Sequence, residues 1–532
     1  MNRRQFLSAT LGAGLSAAAA AILAACAGPP TPAPSNRRAP EASEPGTSAS
    51  PRTGPESSAV PAQGRETAIA TENRRPGHRG WDLRGTGDHP AAEVFLDAAS
   101  AAPGSVLTVH LASAAVVDLE WYRLGWYGGD GGRQVRIDRA VRASAPGPTR
   151  IDPDTGMTEA DSRAALSFVI PPDWPTGVYL LVARPDIGTP GGATFTIRAS
   201  PEGPPAPVLF VSAATTWQAY NMWGGADLYD ASTADTPVDA GGRRATQVSF
   251  DRPQVQFQGV GYMPRWELPF IRWLERKGRA VEYVVDVDLE LHPEVIAGRR
   301  LLVFAGHHEY WSRPMRTTLE TAIASGVNVA FLSANEVYWQ VRFEPSPLGP
   351  ARRVVCFKSA ALDPLATSQP DLATCRWREP PVNDPEAAVV GQMYGHIVER
   401  VADWVVAGAD HWLYAGTGLR NGDRIVNLVG QEYDTFYPQY APPGTRILAA
   451  SSVVPAIRAE PQGGQPSNPS VHNATIYTAE SGATVFAAGT FQWSWALDEY
   501  GDRAYRGVAT PLDERVARMT KNLFDRLGDG PS

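Results

Sequence analysis

The sequence predicts two bodies in series: an all-β sandwich over residues 76–200 and an α/β body over 201–532, built on an open, mostly parallel sheet. Three observations carry this. From 76 to 200, short alternating or apolar runs are punctuated by Gly, Pro and Asp. From 207 onward, apolar runs alternate with stretches of helical periodicity. Ahead of both lies a segment almost devoid of large apolar side chains.

That leading segment is read as targeting and tether. MNRRQFLSATLGAGLSAAAAAILAAC sets Arg3 and Arg4 before a soft apolar stretch, which resembles a twin-arginine export signal over residues 1–25. Leu23-Ala24-Ala25-Cys26 resembles a lipobox, with Cys26 the residue that would carry lipid. The expectation is an exported chain, anchored through Cys26 at the outer face of the cell membrane or in the periplasm. An uncleaved anchor is the alternative, since the stretch has about the length a bilayer requires. Residues 26–75 are rich in Pro, Ser, Ala and Gly and cannot repay the entropy of ordering, so they read as a flexible tether. About 460 residues remain, enough for two cores.

The sandwich strands are SVLTVHLAS, VVDLEWYRLGW, GRQVRIDRAV, ALSFVI, GVYLLVARP and ATFTIRAS, at the spacing of antiparallel sheets. WYRLGWYGGDGG ends in glycines, but no GK[ST] follows, so it is not a phosphate loop. His110 sits in an alternating strand and reads as a packing residue. Trp121, Tyr122, Trp126 and Tyr127 are core aromatics, a domain junction or a platform for sugars.

The pattern changes at PVLFVSAA, a strand leading into Thr215-Thr216-Trp217-Gln218-Ala219-Tyr220. WELPFIRWLERKG follows as a helix, with Pro269 in its first turn and Gly278 at its stop. VEYVV and RLLVFAG read as strands. Ser312 then caps a helix that ends at Gly326 and delivers the strand NVAFLS. HNATIYTAESGATVFAAGT reads as a hairpin or two sheet strands. The chain closes on an amphipathic helix with Leu512, Val516, Met519, Leu523 and Phe524 on one face. An open sheet of the flavodoxin or amidotransferase type is the economical assembly.

In such a sheet, loops at the carboxyl ends of neighbouring strands form a crevice. Three of these ends carry Tyr220, the run His307-His308-Glu309-Tyr310, and Asn335-Glu336-Val337-Tyr338-Trp339. If the chain stays extended past Gly306, His307 and Glu309 share a side. The zinc patterns HExxH and paired Cys are absent, whereas a phenolate is a hard donor suited to ferric iron. Cys356 and Cys375 could close one disulfide. A formal charge of −8 gives no case for nucleic acid.

TWQAYNMWGG, GYMPRWELPFIRWLE, FAGHHEYWS and SANEVYW, with CRWREP, NDPE, VGQEYD and FAAGTFQWSWALD, resemble the large-subunit family of N,N-dimethylformamidase over about 201–527. The resemblance implies an amide hydrolase with one mononuclear ferric ion held by Tyr220, Tyr262 and Glu309. It further implies His307, Asn335 and Glu432 as the reacting pocket, and a separate small subunit as partner. Glu432 would act as base, with Asn335 or His307 as oxyanion donor. The apparent export and lipid-anchor signals depart from that family, so the physiological amide stays open. The competing readings are a carbohydrate-associated surface protein binding glycans through its sandwich, or another metal-assisted enzyme, with homo-oligomerisation also open. No G-x-S-x-G elbow or GxGxxG fingerprint supports a serine hydrolase or a dinucleotide enzyme.

Overall fold

A computed structural model describes residues 67–86, 90–147, 149–161, 163–200, 203–229, 244–456 and 470–529. The expected signal peptide, Cys26 and the tether up to residue 66 lie outside these. Within the stretch assigned to the tether, Ala68–Glu72 is a short helix (α1), capped by Thr67.

Seven longer strands and the two-residue strand Ser100–Ala101 build the two main sheets of the first body; the longer ones are Ala92–Leu96 (β1), Val106–Ser113 (β2), Val116–Leu124 (β3), Gly132–Arg142 (β4), Ala164–Val169 (β5), Gly177–Pro185 (β6) and Gly191–Ile197 (β7). One sheet has the order β1-β2-β5; the other runs Ser100–Ala101, β7, β6, β3, β4. Alternate residues explain the packing. Leu107, Val109 and Leu111 of β2 share a core with Leu119 and Trp121 of β3 and Leu181 of β6. Tyr122, Leu124, Val178, Leu180 and Val182 point the other way, into the core of the second body. The larger sheet is thus covered on both faces, which is why β6 reads VYLLV without alternation.

The sandwich aromatics are structural. Trp121 packs edge-on to Phe168 at 4.9 Å and to Phe195 at 5.8 Å. Tyr122 and Tyr127 are buried, and Trp126 lies under the guanidinium groups of Arg272 and Arg276. His110 stacks on Phe95 at 4.7 Å. Of the four aromatics weighed as a sugar platform, only Trp126 is partly exposed.

The second body is seamed by one seven-stranded sheet. Its strands are Val208–Ser212 (β8), Val281–Val285 (β9), Leu301–Phe304 (β10), Asn328–Phe331 (β11), and, past Glu432–Thr435 (β12), Arg446–Ser452 (β13), Val471–Thr478 (β14) and Thr484–Ala487 (β15). The order is β9-β8-β10-β11-β15-β14-β13. Strands β9, β8, β10, β11 and β15 run parallel; β14 pairs antiparallel with both β15 and β13. Ala214–Ala219 (α2), Leu268–Arg276 (α3), Arg313–Ala324 (α4) and Glu514–Leu523 (α5) are the longer helices around it. Ser312 caps α4 by accepting from Met315 N at 3.2 Å, and Gly326 ends it at φ +88. Leu512, expected on the inner face of α5, precedes its Asp513 cap and is exposed, whereas Val516, Met519, Leu523 and Phe524 are buried.

The flavodoxin-type open parallel α/β sheet expected for 201–532 does not describe this molecule. Strand outweighs helix among the described residues and is divided among eight sheets that are largely mixed or antiparallel. The reason lies between Trp339 and Ser452. That region lacks helical periodicity and folds into antiparallel ladders, such as Met393–Ile397 on β12 and Trp339–Ser346 on Gly349–Val355. The disulfide is not formed either. Cys356 and Cys375 are buried free thiols, directed at the carbonyls of Gln340 and Pro380.

The two bodies meet on a buried ion pair. Arg123 Nη2 of β3 donates to Glu275 Oε1 of α3 at 2.7 Å, and Nη1 donates to Oε2 at 2.9 Å. Both side chains are fully excluded from solvent. Tyr283 and Asn73 also donate to Glu275, and Arg123 reaches the Thr176 carbonyl, so the pair's remaining hydrogen-bonding capacity is used.

Candidate active site

The site forms where β8, β10 and β11 end. After β8, α2 begins on the carboxylate of Asp286, which accepts from Thr215 N at 3.0 Å. Burial pushes the Asp286 carboxyl up to about 7. Helix α2 ends at Tyr220, and its Thr216 Oγ1 accepts from Glu309 N at 3.1 Å, joining the β8 and β10 loops. Gly306 has no room for a side chain: a Cβ would lie 2.7 Å from Glu267 Oε1. Glu267 accepts from Ala213 N and from Trp217 Nε1, both at 3.1 Å, and burial pushes its carboxyl up to about 8.

Past Gly306 the side chains alternate. His307 and Glu309 face the cleft, with His307 Nε2 3.4 Å from Glu309 Oε2. His308 turns away beneath Phe304, and burial pushes its imidazole down to about 3, so it stays neutral. The β11 loop docks on this one by backbone bonds: Val337 N donates to His308 O at 2.9 Å, and Trp339 N donates to Glu309 O at 2.8 Å. Asn335 and Val337 both hold positive φ, +57 and +53, a strained backbone of the kind that clusters at functional sites.

Glu309 is the centre. Tyr220 donates its hydroxyl to Glu309 Oε2 at 2.5 Å; Tyr229 donates to Oε1 at 2.6 Å; Trp339 Nε1 donates to Oε1 at 3.2 Å. The two phenol oxygens lie 3.0 Å apart. On the other side, His307 Nε2 lies 3.7 Å from Glu432 Oε2, and Asn335 Nδ2 donates to that same oxygen at 2.8 Å.

The residues singled out from sequence therefore meet: Tyr220, His307, Glu309, Asn335 and Glu432 form one connected cluster. Tyr262 lines the same cleft with its ring edge-on to Tyr220 at 6.0 Å. The phenol bonded beside Tyr220 is Tyr229, which sequence reasoning missed because WGGADLYD shows no periodicity. Lys358 was also missed. Its ammonium lies 3.0 Å from the Tyr229 ring centroid and 4.8 Å from that of Trp339. A lysine directly after the apolar run VVCF was the available signal, since lysines seldom follow a strand into the interior.

Trp217, Trp266, Ile397 and Tyr505 make the walls of the cleft. Among the described residues no group of three or more His, Cys, Asp and Glu side chains is disposed to hold a metal. A metal here would draw on phenol oxygen, and a carboxylate with phenols on both of its oxygens is a donor set that suits a hard trivalent cation.

Residues 118–506 match the family described as N,N-dimethylformamidase beta subunit-like, C-terminal. The chain is 24% identical over 351 residues to an N,N-dimethylformamidase beta subunit from an Alcaligenes species, covering 56% of this chain and 42% of that protein. A second beta subunit, from Paracoccus aminophilus, is 23% identical over 353 residues, covering 57% and 42%. The chain thus spans about two-fifths of the length of these relatives. The solved structure of the sporulation control protein Spo0M from Bacillus subtilis covers 21% of this chain and 50% of its own, at 14% identity and a TM-score of 0.15, too slight a likeness to argue from. With nearly three-quarters of its length matched, and with the expected residues gathered in one cleft, this chain belongs to the N,N-dimethylformamidase beta subunit-like family.

Proposed function

We propose that the chain is a metal-dependent hydrolase of a carbon–nitrogen amide bond. The observation that carries the proposal is the meeting of Tyr220, Glu309, His307, Asn335 and Glu432, from four separate segments, in one apolar-walled cleft. Tyr220, Tyr262 and Glu309 would hold a mononuclear ferric ion, with Tyr229 steadying the far oxygen of Glu309. When bound, the ion supplies Lewis acidity toward an amide carbonyl or a water.

The chain's own groups do the rest. Glu432 takes a proton from the water that attacks the carbonyl carbon, and returns it to the departing amine nitrogen as the C–N bond breaks. Asn335 Nδ2 and His307 stand beside Glu432 and donate to the oxyanion as it develops. Trp217, Trp266, Ile397 and Tyr505 cover the amide's substituents and keep water out, which favours apolar groups on the substrate. Two relatives carry the name beta subunit, which supports a separate partner chain for this one as well. Export by the twin-arginine route and anchoring through Cys26 complete the reading, on sequence alone.

The test is metal analysis of the purified chain, together with amine release from a panel of N-alkyl and N-aryl amides. Stoichiometric iron with visible phenolate-to-iron absorption, and turnover lost on chelation and regained on reloading, is the expected result. An iron-replete preparation that releases no amine from any of them overturns it.

A further inference from the structure

We propose that Asp434 is a positioning residue, whose carboxylate pins the backbone of Asn335 so that its side-chain amide is aimed at Glu432 and His307; this rests on the amide-hydrolase reading of the cleft. Asn335 N donates to Asp434 Oδ1 at 2.9 Å. Asn335 sits at φ +57, a conformation that asparagine tolerates but that surrounding contacts must impose. Its Nδ2 is bonded to Glu432 Oε2 at 2.8 Å and lies 3.4 Å from His307 Nε2, whereas its Oδ1 is buried with no partner among the described residues. The side chain is therefore held on one edge only, and its direction is inherited from the backbone.

Strand β12 supplies both ends of the device. Glu432 and Asp434 are two residues apart and share a face of the strand, one meeting the Asn335 side chain and the other its main chain. Asp434 is 1% exposed. Its own N donates to Gly489 O at 3.1 Å, which ties the strand that carries the carboxylate to the neighbouring segment. A single short strand thus sets the spacing between the general base and the oxyanion donor.

The experiment compares Asp434→Ala and Asp434→Asn in the full chain, alone and with Asn335→Ala. Asp434→Ala should lower kcat on the order of 100-fold with KM changed less than about threefold, the scale of a catalytic group misplaced by about 1 Å. Asp434→Asn keeps an acceptor for the Asn335 N–H and should restore kcat to within about tenfold of the parent. Once Asn335 is already alanine, Asp434→Ala should cost nothing further. Unchanged kcat in Asp434→Ala, or the same loss with and without the Asn335 side chain, overturns the proposal. Should Asp434→Ala fail to fold, Asp434→Glu, which moves the acceptor by one methylene, must lower kcat at unchanged Tm, and unchanged kcat counts against the role. Hydrogen exchange over 333–339 reads the same contact without catalysis. If the parent turns over no amide, the hydrolase reading falls, while faster exchange in Asp434→Ala still upholds the contact and unchanged exchange refutes it.

Discussion

Two buried acid clusters in this chain differ in what surrounds them. At the junction of the two bodies, Glu275 faces the Arg123 guanidinium at 2.7 and 2.9 Å, with Tyr283 and Asn73 taking up its remaining capacity. At the cleft, Glu309 and Glu432 are almost as deeply buried, at 2% and 3% exposure, but lie among phenols, an indole, an amide and an imidazole. The Lys358 ammonium lies against the ring of Tyr229. A buried carboxylate matched by a fixed cation is electrostatically complete and has no further use for a ligand. One whose oxygens are shared among phenol, indole and amide donors from separate loops sits among groups that can rearrange around a ligand or pass a proton, at a cost in stability that the rest of the core must offset.

The sharpest way to break this contrast is Glu309→Gln. Metal retention and turnover should both fall by more than the ~10–100-fold that changing an outer-shell group costs; full occupancy with parental turnover, read by metal analysis and amine release, would place Glu309 with the structural acids. Next, Glu432→Gln should reduce kcat by about 10²–10⁴-fold while metal content stays at the parental level. At the junction the readout changes from rate to stability. Arg123→Met should destabilise by about 3–5 kcal/mol in denaturant titration, and adding Glu275→Leu should recover much of it, because the cost is the stranded charge. A double variant as unstable as the single one would show that the pair itself holds the bodies together.

A smaller effect separates the two further phenols. Tyr262→Phe should weaken and shift the phenolate-to-iron band, which Tyr220 alone would then supply, whereas Tyr229→Phe should keep the band and weaken metal retention by about 10–100-fold. The opposite pattern would exchange their roles.

The smallest effect concerns pH. Burial tends to raise the carboxyl of Glu72, but Arg123 and Arg133 outweigh it and hold it below its ordinary 4.5. Its stabilisation is therefore present above that value and is lost as pH falls through the lower folded one. Glu267, behind the cleft, is the reverse: burial lifts it to about 8 from 4.5, so its contribution is full below 4.5 and is lost as pH rises through about 8. Glu267→Gln should flatten the stability profile across that window by about 1–3 kcal/mol in denaturant midpoints, and an unaltered slope would show that Glu267 is ionised throughout.

Much of the site could be read from local pattern. An apolar run that stops at Gly306 and releases His-His-Glu marks a strand end, and alternation then assigns His307 and Glu309 to one side and His308 to the other, as the structure has it. The partners of Glu309 were harder. Tyr229 follows Tyr220 by nine residues in a segment without periodicity, and Lys358 lies just past a hairpin strand whose other edge pairs with residues about a hundred positions earlier. The fold class failed for a related reason: between Trp339 and Ser452 a hairpin and short strands such as Met393–Ile397, whose partner lies some forty residues on, take the place of strand–helix alternation.

The sequence by itself determined the strand ends, the helix caps at Ser312 and Gly326, and the residue types able to do chemistry. Each follows from interactions spanning a few residues, where periodicity and backbone preference dominate. Only the tertiary structure decided which phenol meets Glu309, that Cys356 and Cys375 stay apart, that Arg123 closes on Glu275, and that mixed sheets replace an open parallel one. These depend on contacts between segments tens to hundreds of residues apart, whose energies are summed over the whole core and leave no local trace.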